Sequence, residues 1–204
     1  MGTPRPSFIV GIGGSAGALN AYKAFLDALP SRTGMAFVII SHMNPAASSQ
    51  LAQILSRHTK MQVKVASEAT PIRTNNVYVI PPDADLFIED YAFKVVSPRS
   101  KRNVQIDLFL TSLAAAMGAR AIGIILSGFD GDGAEGCKQI KAKGGTTFAQ
   151  DMSAEVGDMP LSAQASGSVD FVLPPDKIPV ELRRLVMNSK NREGRDAVHG
   201  YPPA

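Results

Sequence analysis

The stretch Phe8-Ile9-Val10-Gly11-Ile12-Gly13-Gly14-Ser15-Ala16-Gly17-Ala18 constrains the fold of this chain more than any other. Apolar β-formers run directly into a glycine cluster, and the helical segment Ala18–Leu29 follows at once. That succession predicts a strand, a tight turn and a helix N-terminus. Ser15 lies at the sharpest point of the turn. Its small neighbours let a ligand approach the hydroxyl, and the free N–H groups of the helix start face the same place. Such a spot suits a phosphate or the oxyanion of an acyl transfer. Two templates fit it: the nucleophile elbow G-x-S-x-G through Gly13–Gly17, and the dinucleotide fingerprint G-x-G-x-x-G/A through Gly11–Ala16.

The rest of the chain alternates. Ala36-Phe37-Val38-Ile39-Ile40 and Ala121–Leu126 are continuous apolar runs of the kind that form buried parallel strands. Val63–Ala66, Val77–Ile80, Thr146–Ala149 and Val169–Leu173 are further strand candidates, and Leu86–Glu89 with Phe93–Val96 predict a hairpin around Asp90-Tyr91-Ala92. Apolar residues at helical spacing predict helices over Ser48–Arg57, Ile106–Met117, Ala134–Lys143, Met159–Ala165 and Ile178–Asn188, with Gly118 as a stop. The pattern implies an α/β fold: a doubly wound, mostly parallel sheet with helices on both faces and a short antiparallel hairpin. With 204 residues, a single domain over 8–188 is expected, with 1–7 as an N-terminal extension and the polar residues 189–204 as a disordered tail or linker.

Composition narrows the function. The net charge is only +3, and Arg99-Ser100-Lys101-Arg102 reads as a solvated loop rather than a nucleic-acid surface. One cysteine, Cys137, excludes an intramolecular disulfide framework and suits a reducing compartment. Three histidines and that cysteine do not supply a dedicated zinc cage, so no metal or other cofactor is expected. Met1–Ser7 carries no apolar core of a signal peptide, and no run is long enough to cross a membrane. The expected location is the cytoplasm, without membrane insertion.

In sheets of this kind ligands bind beyond the carboxyl ends of the strands. Ser15, His42 and Asp132 each lie just past such an end. A serine hydroxyl is a weak nucleophile and needs an imidazole to take its proton, with a carboxylate to orient the imidazole. His58 lies in the polar segment Ser56-Arg57-His58-Thr59-Lys60 and His199 in the tail, which leaves His42 as the favoured base. For the carboxylate, chemistry alone leaves Asp130 and Asp132 open, since either also serves as a turn or helix-capping residue. A dinucleotide site asks for an acidic residue at the end of the second strand, where this chain has Ile40-Ser41-His42. The order Ser, His, Asp also differs from an α/β-hydrolase, in which the histidine comes last.

Phe8–Ala18, Ser41-His42-Met43-Asn44-Pro45, Val77-Tyr78-Val79-Ile80-Pro81-Pro82 and Ser127–Gly133 resemble the catalytic domain of CheB-type chemotaxis protein-glutamate methylesterases. Ile106-Asp107-Leu108-Phe109, Ala149-Gln150-Asp151 and Met159-Pro160 extend the likeness over roughly Phe8 to Leu185. In detail it is most similar to the methylesterase-like domain at the front of CheB–CheR fusion proteins. With seven residues before the first strand, no receiver domain is expected ahead of it. The resemblance implies hydrolysis of glutamyl methyl esters, and in some members deamidation of glutamines, on chemoreceptor helices. It implies Ser15 as nucleophile, His42 as base, and Asp132 as the third member, being the aspartate directly before Gly-Ala. It also implies the Phe129 N–H as an oxyanion donor, and the Ala16 N–H is the candidate for the second. Partners would be methylated receptor cytoplasmic helices and a methyltransferase domain. Two departures stand out: Ala18 replaces a usual glycine, and Asp130 replaces another, putting an extra carboxylate near the site. A binding module on the same fold and a nucleotide-binding oxidoreductase domain are the alternatives.

Overall fold

A computed structural model describes residues 5–42 and 48–199, with 48–49 and 190–199 described only as parts of helices. In chain order the elements are β1 (Ile9–Gly14), α1 (Ala18–Ala28), β2 (Ala36–Ser41), α2 (Ser48–Leu55), β3 (Gln62–Val65), β4 (Asn76–Val79), β5 (Asp85–Glu89) and β6 (Ala92–Val96). There follow α3 (Gln105–Met117), a 3-10 turn (Gly118–Arg120), β7 (Ala121–Ile125), α4 (Ala134–Ala142), β8 (Thr146–Gln150), α5 (Asp158–Ala165), β9 (Phe171–Leu173) and α6 (Ile178–His199). Seven strands form one sheet in the order β3-β4-β2-β1-β7-β8-β9, while β5 and β6 pair separately. Every pairing in the large sheet is parallel and the β5–β6 pair is antiparallel.

The period of two in β1 sorts its residues between two cores. Val10 and Ile12 join Tyr22, Phe25, Leu51 and Leu182 under α1, α2 and α6. Ile9 joins Phe109, Leu110, Ile140 and Leu86 under α3, α4 and the hairpin. Helices therefore cover both faces, as the alternating sequence predicts. Gly11 and Gly13 point toward α3. A Cβ on Gly11 would lie 2.6 Å from Leu110 Cδ2, and one on Gly13 2.6 Å from Ile106 Cγ2. These glycines are strand positions that let a helix lie directly on the sheet, rather than parts of the turn.

β1 is central, with β2 on one side and β7 on the other. The chain fills one side of the sheet through β2, β3 and β4, then returns to fill the other through β7, β8 and β9. Connections thus leave β1 and β7 toward opposite faces, which opens a crevice at their carboxyl ends.

Two local expectations need correction. The hairpin turns on two residues, Asp90 and Tyr91, with φ of 49° and 61°, and Ala92 already belongs to β6. Their twist suits the flanking strands without a glycine. The closing helix does not stop at Asn188 but continues to His199. The residues beyond Ser189 are polar and show no apolar spacing, but polarity does not exclude helicity and no proline interrupts the run before Pro202.

Gly13→Ala is expected to cost about 2 kcal/mol, because a methyl would have to displace Ile106 in a close-packed core. Urea unfolding of the variant beside wild type measures it.

Candidate active site

Ser15 and His42 leave adjacent strands at the same level. Gly14 and Ser41 are Cα partners in the β1–β2 register, and each is followed at once by one of the two residues. The His42 N–H also reaches Gly14 O at 3.4 Å. Ser15 starts the turn that ends at Gly17, whose φ of 72° opens α1 in a left-handed conformation. This glycine is required by the backbone itself.

Asp132 enters from the loop between β7 and α4. Its Oδ2 lies 2.6 Å from His42 Nε2, with the two side chains 0% and 8% exposed. Asp132 Oδ2 also accepts from the Ile106 N–H at 3.0 Å, and Oδ1 from the Asp107 N–H at 2.8 Å. Both donors belong to the first turn of α3, the positive end of its dipole, which solvates a carboxylate buried away from water. A carboxylate surrounded by N–H donors only accepts, so His42 Nε2 carries the proton. Nδ1 is left as the acceptor.

The Ser15 hydroxyl makes no hydrogen bond among the described residues, so the serine–imidazole contact is open in this state. Such contacts commonly tighten only when substrate is bound. The Ser15 N–H is committed to Ser127 O at 2.9 Å and is no oxyanion donor. The N–H groups of Ala16 and Phe129 donate to no protein acceptor among the described residues, while the Phe129 ring is 59% exposed. These two free donors sit in the turn after β1 and the loop after β7, the two strands that flank the crevice.

Ser127 is a member of the site that sequence reasoning missed. It is fully buried, and its Oγ donates to Ala16 O at 2.9 Å and accepts from the Val156 N–H at 2.9 Å. Its own N–H donates to Gln150 Oε1 at 3.0 Å. One hydroxyl thus ties the Ser15 turn, the end of β7 and the loop before α5 together. Gly128 completes the fit, since a Cβ there would lie 3.0 Å from Ser15 Cβ and run into Met159 Sδ. Only the run Ser127-Gly128 itself hinted at this, and serines in glycine turns are common.

The other candidates are elsewhere. His58 pairs with Asp27 at 3.0 Å on the surface, where both line an open cavity of about 420 Å³ that includes none of Ser15, His42 and Asp132. His199 ends α6. Met43-Asn44-Pro45 lie outside the described residues. Asp130 is exposed, and its Oδ1 accepts the Asp132 N–H at 2.9 Å rather than facing His42. Its φ of 69° explains why glycine or aspartate suits the position. A smaller cavity of about 110 Å³ opens beside Ser15, lined also by Leu19, Tyr22, Ser41, Leu51 and Ile54. The buried Tyr22 hydroxyl has no partner among the described residues. Burial pushes its phenol well above the ordinary range, with Ser41 the one opposing influence. The dinucleotide reading loses its footing here. Gly11 and Gly13 lie inside β1 and face Leu110 and Ile106 of α3, so they are not exposed turn glycines of the kind that approach a pyrophosphate.

A family model described as CheB methylesterase matches residues 10–182. The chain belongs to the CheB methylesterase family. A protein of Leptospira interrogans named as a putative protein-glutamate methylesterase/protein-glutamine glutaminase is 35% identical over 182 residues, covering 87% of this chain and 94% of that protein. The protein-glutamate methylesterase/protein-glutamine glutaminase of Hydrogenovibrio crunogenus is 30% identical over 190 residues, covering 89% of this chain but 50% of its own length. The crystal structure of the Thermotoga maritima CheB methylesterase catalytic domain matches with a TM-score of 0.80 at 30% identity, covering 87% of this chain and 98% of that one. The fold of this CheB family member is therefore that of the CheB catalytic domain. No helix among the described residues is long and apolar enough to cross a membrane.

Asp130→Gly is expected to leave stability within about 0.5 kcal/mol of wild type, whereas Asp130→Ala should lose about 1 kcal/mol or more, since alanine pays for the left-handed backbone and makes no bond to Asp132. Denaturant unfolding of both variants distinguishes this from a carboxylate needed for its charge.

Proposed function

We propose that this chain hydrolyses glutamyl methyl esters on a protein substrate, with Ser15, His42 and Asp132 as a catalytic triad. The observation that carries the reading is the buried 2.6 Å contact between His42 and Asp132 beside the Ser15 turn. The names of the family relatives point to the same chemistry. Ser15 Oγ attacks the ester carbonyl while His42 Nδ1 takes its proton, and Asp132 stabilises the imidazolium that forms. The Ala16 and Phe129 N–H groups receive the charge developing on the carbonyl oxygen. His42 then returns the proton to the departing methoxide, and methanol leaves. Water, activated by the same imidazole, cleaves the glutamyl-enzyme and regenerates Ser15. The cavity beside Ser15 has room for the ester methyl.

Amide hydrolysis follows the same path with ammonia as the leaving group, which extends the proposal to glutamine side chains. The substrate we infer is a methylated chemoreceptor's cytoplasmic helix, and the site of action the cytoplasm. A methyltransferase domain acting on the same glutamates is the partner that the likeness to CheB–CheR fusions favours. A binding module with catalysis lost has one observation in its favour: the Ser15 hydroxyl makes no hydrogen bond among the described residues.

Methanol release from methylated receptor cytoplasmic fragments decides between the two. Ser15→Ala and His42→Ala should each lower the rate by about 10³-fold or more, and Asp132→Asn by a similar factor. A well-folded wild type that releases no methanol, or a Ser15→Ala variant that keeps its activity, contradicts the hydrolase.

A further inference from the structure

We infer that Asp107 is a positioning residue for this reaction: it and Asp132 cap each other's helices, and its carboxylate holds the Asp132–His42 pair in place and strengthens it as a base. The inference rests on the hydrolase reading above. Its basis is a closed ring of hydrogen bonds. Asp132, just before α4, accepts the Ile106 and Asp107 N–H groups of α3. Asp107, in the first turn of α3, accepts with one oxygen the Gly133 N–H at 2.9 Å and the Gly136 N–H at 2.7 Å, at the start of α4. The residues at the two N-cap positions, Val104 and Gly133, provide no side-chain cap of their own. Each helix therefore borrows its cap from the other. The helices must meet closely for this. A Cβ on Gly136 would lie 2.6 Å from Leu110 Cβ and 3.3 Å from Asp107 Cα.

An ordinary helix cap is a comfortable place for a carboxylate, but this one is not. Burial, with the charges of Asp132 and Glu135 adding to it, pushes the Asp107 carboxyl up to about 6 despite its two N–H donors. The groups around it offer no relief. Lys138 on α4 pairs with Glu135. The buried Cys137 thiol, also on α4, is itself pushed up to about 12 by burial, with the Asp107 charge contributing. On the hairpin side Asp85 is engaged by Gln105 and Ser100, and β1, β2 and β7 carry no titratable side chain. His42, just past β2, faces Asp132. A folded value above the unfolded one means that Asp107 favours folding fully only below about pH 4, and that this contribution is lost as pH rises through about 6. A carboxylate kept at neutral pH at a cost to stability, one residue contact from the proposed base, marks a functional demand. Two acidic side chains behind the imidazole balance the positive charge it takes up as Ser15 is deprotonated.

Asp107→Asn tests this, because an amide oxygen keeps both caps while the charge is lost. On methylated receptor fragments, kcat/KM at pH 7 should fall about tenfold, and the acid limb of its pH profile should move down by about half a unit. The melting temperature at pH 8 should equal or exceed that of wild type, and that advantage should shrink at pH 5. Coupling is reciprocal, so the Asp107 carboxyl titration, followed by carbon NMR, should move down by about half a unit in Asp132→Asn. An unmoved limb or an unmoved titration overturns the proposal. So does an Asp107→Asn chain that fails to fold, since that makes the residue a structural cap only. Ser15→Ala retaining activity would instead overturn the hydrolase reading itself.

Discussion

A carboxylate and an imidazole in contact at 2.6 Å, both almost sealed from water, are costly to bury unless every lone pair is answered. Asp132 is answered by two backbone N–H groups at the start of α3. That requirement sets the position of α3, and through it much else. The helix has to lie hard against β1, which is possible only because Gly11 and Gly13 present no side chain to it. The same helix start must also meet α4, where Gly133 and Gly136 allow the approach.

Seen this way the glycines of the first strand serve packing and chemistry at once. A residue with a Cβ at position 13 would push Ile106 away and with it the N–H that holds Asp132. Ser127 plays the matching part on the other flank, tying the Ser15 turn to the end of β7 and to the loop before α5. Among the described residues the N–H groups of Ala16 and Phe129 donate to no protein acceptor, while those of Ser15, Ser127 and Gly128 beside them are used in this bracing.

The fold was legible in the sequence because its signals are strong and local. Continuous apolar runs at Ala36–Ile40 and Ala121–Leu126 admit little but buried parallel strands, and the helices between them carry clear apolar spacing. The helix beyond Asn188 is not legible because its residues are polar and carry no apolar spacing. At the site, the neighbourhood of Ser15 and His42 follows from strand ends, which a sequence shows. The choice of Asp132 over Asp130 does not follow from chemistry, since both are turn aspartates, and in the sequence it rests on the family likeness. In the fold one turns inward to His42 and the other back on the loop. Asp107 lies in the motif Ile106-Asp107-Leu108-Phe109, yet its bonds to Gly133 and Gly136 join residues 26 and 29 positions away, beyond any local pattern.

The proposed hydrolysis requires that Ser15 becomes covalently acylated with His42 as its base. Peptide mass mapping after exposure to a serine-reactive fluorophosphonate tests it most directly. A single adduct is expected, on Ser15, formed by wild type and lost in His42→Ala. An unlabelled Ser15 in folded wild-type protein, or labelling that persists undiminished without His42, would contradict it.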